Sequence, residues 1–182
     1  RARGAAGTVE GIPDLRVADI GTGTGCLAIT VARQLPGATI VATDLISEAL
    51  SLAESNARDH GVEQRIEFRH GDGLEPLRSD PPFDVIMANL PYIPDADWST
   101  LDPNVREYEP ASALRGGTDG LSVIRPVVSS IGEVLKPGGM LVLEIDPAQG
   151  DAIAELIRRG SGPEQIEILE DEFGDRRLVR AS

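Results

Sequence analysis

Val17-Ala18-Asp19-Ile20-Gly21-Thr22-Gly23-Thr24-Gly25, followed by Cys26–Gln34, predicts a buried strand that ends in a glycine loop and turns into a helix. Glycines at 21, 23 and 25 let the backbone pass close to a ligand and take positive φ. The helix that follows points its free amides at the ligand's polar end. Outward from this unit, short runs rich in Val and Ile alternate with helix-like segments, so the class is α/β. Strands are expected near Leu15–Ile20, Thr39–Thr43, Ile66–Arg69, Asp84–Ala88, Met140–Ile145, Gln165–Leu169 and Arg177–Ala181. Helices are expected over Cys26–Gln34, Glu48–Asp59, Leu121–Leu135 and Ala148–Arg159, with Ser47 as an N-cap and Gly61 and Gly160 as stops. Lys136-Pro137-Gly138-Gly139 cannot continue a helix and is expected to turn the chain into the fifth strand. No helix separates the last two strands, and Asp171–Asp175 reads as a hairpin. The expected architecture is a Rossmann-like, seven-stranded, mostly parallel sheet with an antiparallel last strand.

The chain has 182 residues, enough for one domain with a substantial core, and a hydrophobic content of 41% that fits a soluble globular protein. A single domain over residues 1–182 is therefore expected. No apolar run approaches the roughly 20 residues of a membrane span, and Arg1-Ala2-Arg3-Gly4 lacks a signal-like stretch. A cytoplasmic location is expected, with no membrane contact. One cysteine, Cys26, excludes an internal disulfide, and with two histidines it leaves too few soft ligands for zinc. No metal is expected. The formal charge of −13 opposes nonspecific attraction to a phosphate backbone, which favours a protein or small-molecule substrate over naked nucleic acid.

A doubly wound sheet places its first and fourth strands side by side at the point where strand order reverses, and ligands bind at their carboxyl ends. The fourth strand leads into Asn89-Leu90-Pro91-Tyr92, so topology brings this turn to the glycine loop. The Asn89 side-chain oxygen and the Leu90 carbonyl are two acceptors for the hydrogens of a planar NH2 group. Pro91 holds Leu90 extended, and Tyr92 can stack on the group. Such a socket suits methylation on nitrogen. A carboxamide nitrogen is a poor nucleophile until it is held and its developing charge is stabilised, which is what convergent acceptors do. Between Pro91 and Thr118 lies a long stretch of low periodicity with Trp98 and Tyr108. It directly follows the socket and is expected to face the substrate.

Asp44 closes the second strand, where an acid can accept hydrogen bonds from the ribose hydroxyls of a nucleoside. Gly23 is followed three residues later by Cys26 instead of Gly or Ala, which disfavours a dinucleotide. Preceded by Asp19, the Gly21-x-Gly23-x-Gly25 turn resembles motif I of class I S-adenosylmethionine-dependent methyltransferases. In that family the loop holds the methionine portion of the cofactor. His70-Gly71-Asp72-Gly73 adds a carboxylate, Asp72, that the same resemblance places at the adenine amino group. Cys26 reads as a small packing residue, and His60 and His70 as surface histidines.

Glu109-Pro110-Ala111-Ser112-Ala113-Leu114-Arg115-Gly116-Gly117-Thr118-Asp119-Gly120-Leu121 is similar to the Glu-Pro-x-x-Ala-Leu-x-Gly-Gly-x-Asp-Gly-Leu block of the protein-(glutamine-N5) methyltransferases, the HemK family. Leu143-Glu144-Ile145 with Gln149, and Phe173-Gly174-Asp175-Arg176-Arg177, also resemble that family. The likeness runs from Val17 to about Arg180. It implies methylation, by S-adenosylmethionine, of a glutamine in a protein, with the Gly-Gly-Gln tripeptide of a peptide-chain release factor as the implied substrate. Carried over, Asp19, Gly21, Thr22, Gly23, Thr24, Gly25, Asp44, Asp72, Gly73 and Asn89 would hold the cofactor, and Asn89, Leu90, Pro91 and Tyr92 the glutamine. Leu90 stands where the family has a proline, Gly73 where an aromatic often lines the adenine pocket, and Asp146 where a glycine is frequent. The family's helical N-terminal domain and its Arg-Pro-x-Thr-Glu segment have no counterpart in the chain. A monomer without direct nucleic-acid binding is expected. Two alternatives stay open: an amino-methyltransferase acting on nucleic-acid bases, and a cofactor-binding module without turnover.

Overall fold

A computed structural model describes residues 14–182. The strand β1 (Arg16–Ile20) is followed by α1 (Cys26–Gln34), β2 (Thr39–Asp44), α2 (Ser47–Asp59), β3 (Ile66–His70) and β4 (Phe83–Ala88). After the long connection come α3 (Pro103–Tyr108), α4 (Ala111–Leu114), α5 (Ile124–Ser129), β5 (Leu135–Glu144), α6 (Gly150–Arg159), β6 (Ile166–Glu170) and β7 (Arg176–Ala181). The seven strands form one sheet in the order β3-β2-β1-β4-β5-β7-β6. The first five pair in parallel, and β7 is antiparallel to both β5 and β6.

Parallel strands are buried on both faces, and period-two alternation sends neighbours to opposite cores. In β1, Val17 joins the layer under α1 with Ala28, Ile29, Ala32, Ile40 and Ala42. Ala18 and Ile20 join the other, with Ile86, Ile124, Val128, Leu141, Leu143 and Ile153. Asp19 is also buried. Its backbone belongs to the strand, while its carboxylate Oδ2 accepts from the Ala28 N–H in the first turn of α1. Gly25 has no side chain to cap that helix, so a residue of the preceding strand does it.

Three local expectations are corrected. Ser47 is the first residue of α2 and not its cap; the preceding position is Ile46, with extended backbone. The long helix expected over Leu121–Leu135 is only α5 plus a 3-10 turn at Ile131–Glu133. Pro126 confines the helix start to within a turn of itself. Gly132 lies so close to Ser161 that any β-carbon there would sit 2.1 Å from the Ser161 carbonyl oxygen. Lys136-Pro137-Gly138-Gly139 is a bulge within β5, not a turn before it. Phe83 pairs with Leu135 and Val85 with Met140, so the extra residues loop out between two bonded positions. Gly160 ends α6 as expected, with extended backbone at φ −78.

Candidate active site

The stretch after β4 is short helical turns, Asp95–Thr100, α3 and α4, closed at its neck. The Ile93 N–H donates to the Leu114 carbonyl, the Gly116 N–H to Ile93 and the Asp95 N–H to Gly117, at 2.9 Å each. Arg115 clasps the excursion further, bonding Asp95 and lying over the Trp98 ring. The glycines of the following block are required by close approach. Gly120, at φ +72, lies against the Tyr92 carbonyl and the Gln149 side chain, with no room for a β-carbon.

These elements enclose a cleft of ≈ 490 Å³ at the carboxyl ends of the central strands. Asp19, Gly21, Thr22, Gly23, Thr24, Asp44, Asp72, Gly73, Asn89, Leu90, Pro91 and Tyr92 all line it. Gly25 does not. It takes φ +82 and faces α2, where a β-carbon would lie 3.1 Å from the Ala53 β-carbon. Its part is to let α1 begin close to α2. The fourth wall is Glu109, Pro110, Ser112, Ala113 and Leu114, from the excursion after the socket.

The loop chemistry selects against a phosphate-bearing ligand. The Gly23 N–H, which a dinucleotide fold would offer to pyrophosphate, donates instead to Asp44 Oδ2 at 2.8 Å. Asp44 Oδ1 accepts from Ile46 N–H at 2.9 Å. The lining includes four carboxylates, Asp19, Asp44, Asp72 and Glu109, and no basic side chain, a potential that favours a cation. At the floor, Asp19 Oδ2 accepts from Thr22 Oγ1 at 2.7 Å as well as from Ala28. Its Oδ1 is buried with no partner. Burial pushes the Asp19 carboxyl from 3.8 up to about 6, helped by the nearby charge of Asp44 and opposed by the two hydrogen bonds. At the mouth, Leu27, Leu45 and Ile46 are exposed, with Val123 and Val127 also on the lining. Such side chains suit cover by a flat ring. A nucleoside carrying positive charge at one end fits all three features, as S-adenosylmethionine does.

On the acceptor side, Asn89 is exposed and Leu90 buried. Asn89 Nδ2 donates to Glu144 Oε2 at 3.0 Å, and the Tyr92 hydroxyl to Glu144 Oε1 at 3.5 Å. Burial, and then the Glu144 charge, holds the Tyr92 phenol above its usual range. Gln149 Nε2 donates to the Tyr92 carbonyl at 2.8 Å. Sequence reading assigned no role to Glu144 or Gln149. Both stood inside quoted motifs, and only the pairing of β4 with β5 shows what they touch.

The sheet order, the reversal at β1 and β4, and a cleft at that point define a class I methyltransferase fold. The sequence matches the family described as a methyltransferase domain over residues 13–168, and the chain belongs to that family. It is 41% identical over 164 residues to the release factor glutamine methyltransferase of Gloeobacter violaceus, covering 90% of this chain and 57% of that protein. With the release factor glutamine methyltransferase of Deinococcus radiodurans it shares 44% over 166 residues, 91% of this chain and 57% of that protein. The chain thus spans somewhat over half the length of these curated relatives. Among solved structures, the ribosomal protein L11 methylase of Lactobacillus delbrueckii subsp. bulgaricus superposes with a TM-score of 0.66 at 23% identity, over 95% of this chain and 70% of that one. An RNA methyltransferase from Salinibacter ruber, in complex with S-adenosyl-L-homocysteine, gives 0.54 at 23%, over 92% and 79%. At that identity the two structures speak to the fold alone. No helix among the described residues is long and apolar enough to cross a membrane.

Proposed function

We propose that this chain is the catalytic part of an enzyme that methylates, from S-adenosylmethionine, the side-chain amide nitrogen of a glutamine in a peptide-chain release factor, in the cytoplasm. One observation carries the reading: the glycine loop and the Asn89–Tyr92 turn line one continuous cleft and touch at Gly21 and Leu90. The similarity to release factor glutamine methyltransferases along 90% of the chain supports the choice of acceptor.

In this reading the Asp19 Oδ1 lone pairs receive the ammonium of the cofactor's methionine portion. Asp44 keeps its bonds to Gly23 and Ile46 and offers its remaining lone pairs to the ribose. Asp72 and Gly73 border the base. When bound, the cofactor supplies a methyl group already activated on a sulfonium. The protein's task is then alignment, which removes the need for a strong base. Asn89 Oδ1 and the Leu90 carbonyl accept from the two hydrogens of the substrate amide, and Tyr92 covers its plane. Acceptors on both hydrogens would stabilise the positive charge that develops on nitrogen as it gains the methyl group, and one of those protons then leaves to solvent.

The test is to incubate the protein with methyl-labelled cofactor and purified release factors, ribosomes and RNA, and to locate the label by mass spectrometry. Label on a release-factor glutamine is the expected result. Label on RNA alone assigns the chain to base methylation, and cofactor binding without any transfer assigns it to a module lacking turnover. Asn89→Ala should abolish transfer while leaving cofactor affinity largely intact.

A further inference from the structure

We infer that Glu144 is a positioning residue that fixes the polarity of the acceptor socket, acting through Asn89 to make it read an amide and reject an acid. The inference rests on the proposed transfer to a side-chain amide. A carboxamide has a donor end and an acceptor end of nearly the same shape, and on an exposed residue it is free to turn over. A socket for NH2 needs the oxygen end outward. A carboxylate only accepts, so the contact between Asn89 and Glu144 Oε2 at 3.0 Å admits one orientation. Nδ2 faces Glu144 and Oδ1 faces away.

Strand register creates this contact. Ala88 of β4 pairs with Leu143 of β5, and Asn89 and Glu144 are the next residues along the two strands. A slip of one residue would send the Glu144 side chain to the other face. The second Glu144 oxygen lies 3.5 Å from the Tyr92 hydroxyl, a weak contact, so Asn89 is the socket side chain that this carboxylate holds. Glu144 is not itself on the cleft lining, which makes its action indirect. The consequence is selectivity. A substrate amide meets an acceptor it can donate to, whereas a glutamate in its place would meet an outward oxygen backed by a negative charge.

The test has a part that needs no turnover. In protein labelled with nitrogen-15, the Asn89 side-chain NH2 signals should shift on Glu144→Ala and Glu144→Gln with no substrate present. In turnover with a release factor, E144A should lower kcat by about tenfold or more, with S-adenosylhomocysteine affinity unchanged by calorimetry. E144Q should lose less. Asn89→Asp sets two carboxylates against each other and should lose nearly all transfer. Adding E144Q to N89D supplies a donor for the carboxylate at position 89 and should recover about tenfold over N89D alone. A role confined to stability would give additive losses with no recovery. Asn89 signals indifferent to E144A, or a double variant no better than N89D, overturn the inference. If the unaltered protein methylates no release factor, the functional reading fails by itself, and the NH2 signals still decide the Glu144 contact.

Discussion

Gly21 and Leu90 meet across the junction of β1 and β4: a methyl group on Gly21 would lie 2.8 Å from Leu90 Cδ2 and 3.7 Å from the Asn89 carbonyl oxygen. The two loops that build the cleft are therefore in contact at their bases, and the gap between donor and acceptor sides is fixed by a missing side chain. Gly21→Ala faces two costs, the left-handed backbone at φ +69 and a collision with a buried leucine, together roughly 2–4 kcal/mol. Gly23→Ala bears only the first, since nothing lies within 4 Å of its β-position. Thermal unfolding should show G21A melting several degrees below G23A. S-adenosylhomocysteine titration should show G21A also displacing the acceptor turn, with kcat falling further than cofactor affinity.

The buried Asp19 carboxyl makes stability and ligand affinity run in opposite directions with pH. Its folded pKa, about 6, lies above the ordinary 3.8, so between those values the folded state binds more protons than the unfolded chain. Stability contributed by this group is then full below about pH 4 and is lost as pH rises through 6. Two units correspond to roughly 3 kcal/mol. Asp19→Asn cannot ionise, so the stability difference between variant and parent should move in the variant's favour by about that amount from pH 4 to pH 7, read from denaturant unfolding. Ligand binding should behave the other way. An ammonium at Oδ1 prefers the ionised form, so the affinity of the parent for S-adenosylhomocysteine should rise from pH 5 to pH 7 and binding near pH 6 should release protons. D19N should bind weakly at every pH. A flat pH profile in the parent would remove Asp19 from the site.

What could be read from residue order was whatever depends on local periodicity and on the topology it implies. The strands expected at Leu15–Ile20 and Asp84–Ala88 follow from apolar runs that end at Gly21 and Asn89, and their adjacency follows from a doubly wound sheet. The Leu121–Leu135 stretch reads as one helix because Ile124, Val127, Val128 and Ile131 keep a helical spacing through Pro126 and Gly132. Burial against the sheet satisfies that spacing without one continuous helix. Gly25 belongs with Gly21 and Gly23 by motif, whereas its environment is the Ala53 side of α2. Glu144 and Gln149 lie 55 and 57 positions from their partners. Contacts of that separation are set by strand register and helix placement, which no local pattern encodes.

Gln149 holds the socket from behind. The residue is 7% exposed, and its Nε2 donates to the Tyr92 carbonyl at 2.8 Å. Gly120 packs against both groups, and a β-carbon there would lie 2.2 Å from the Tyr92 carbonyl oxygen and 2.3 Å from Gln149 Nε2. Gln149→Ala removes the donor and leaves a half-buried carbonyl without this partner, a loss of about 1 kcal/mol. Because the freed carbonyl belongs to Tyr92, the same variant should lower kcat. Tyr92→Phe, which keeps the ring and loses only a 3.5 Å contact, should stay within a few-fold of the parent. Chemical denaturation and steady-state kinetics on the two variants separate anchoring of the loop from the hydroxyl.

Cys26 offers a chemical report on cleft occupancy. Its thiol is exposed, lies at the first position of α1 and lines the cleft beside Thr24 and Leu27. A maleimide should label it readily, and a ligand seated on the glycine loop should block the approach. Protection follows mass action: at a ligand concentration 100 times Kd, the labelling rate should fall about 100-fold. S-adenosylhomocysteine should protect in this way, whereas NAD should not, because the loop amide that would meet its pyrophosphate is committed to Asp44. Labelled protein should lose cofactor binding in step with modification, since the adduct fills the same space. In Cys26→Ala the reagent should leave binding untouched. Equal labelling with and without S-adenosylhomocysteine would place the nucleoside elsewhere and separate the glycine loop from the donor site.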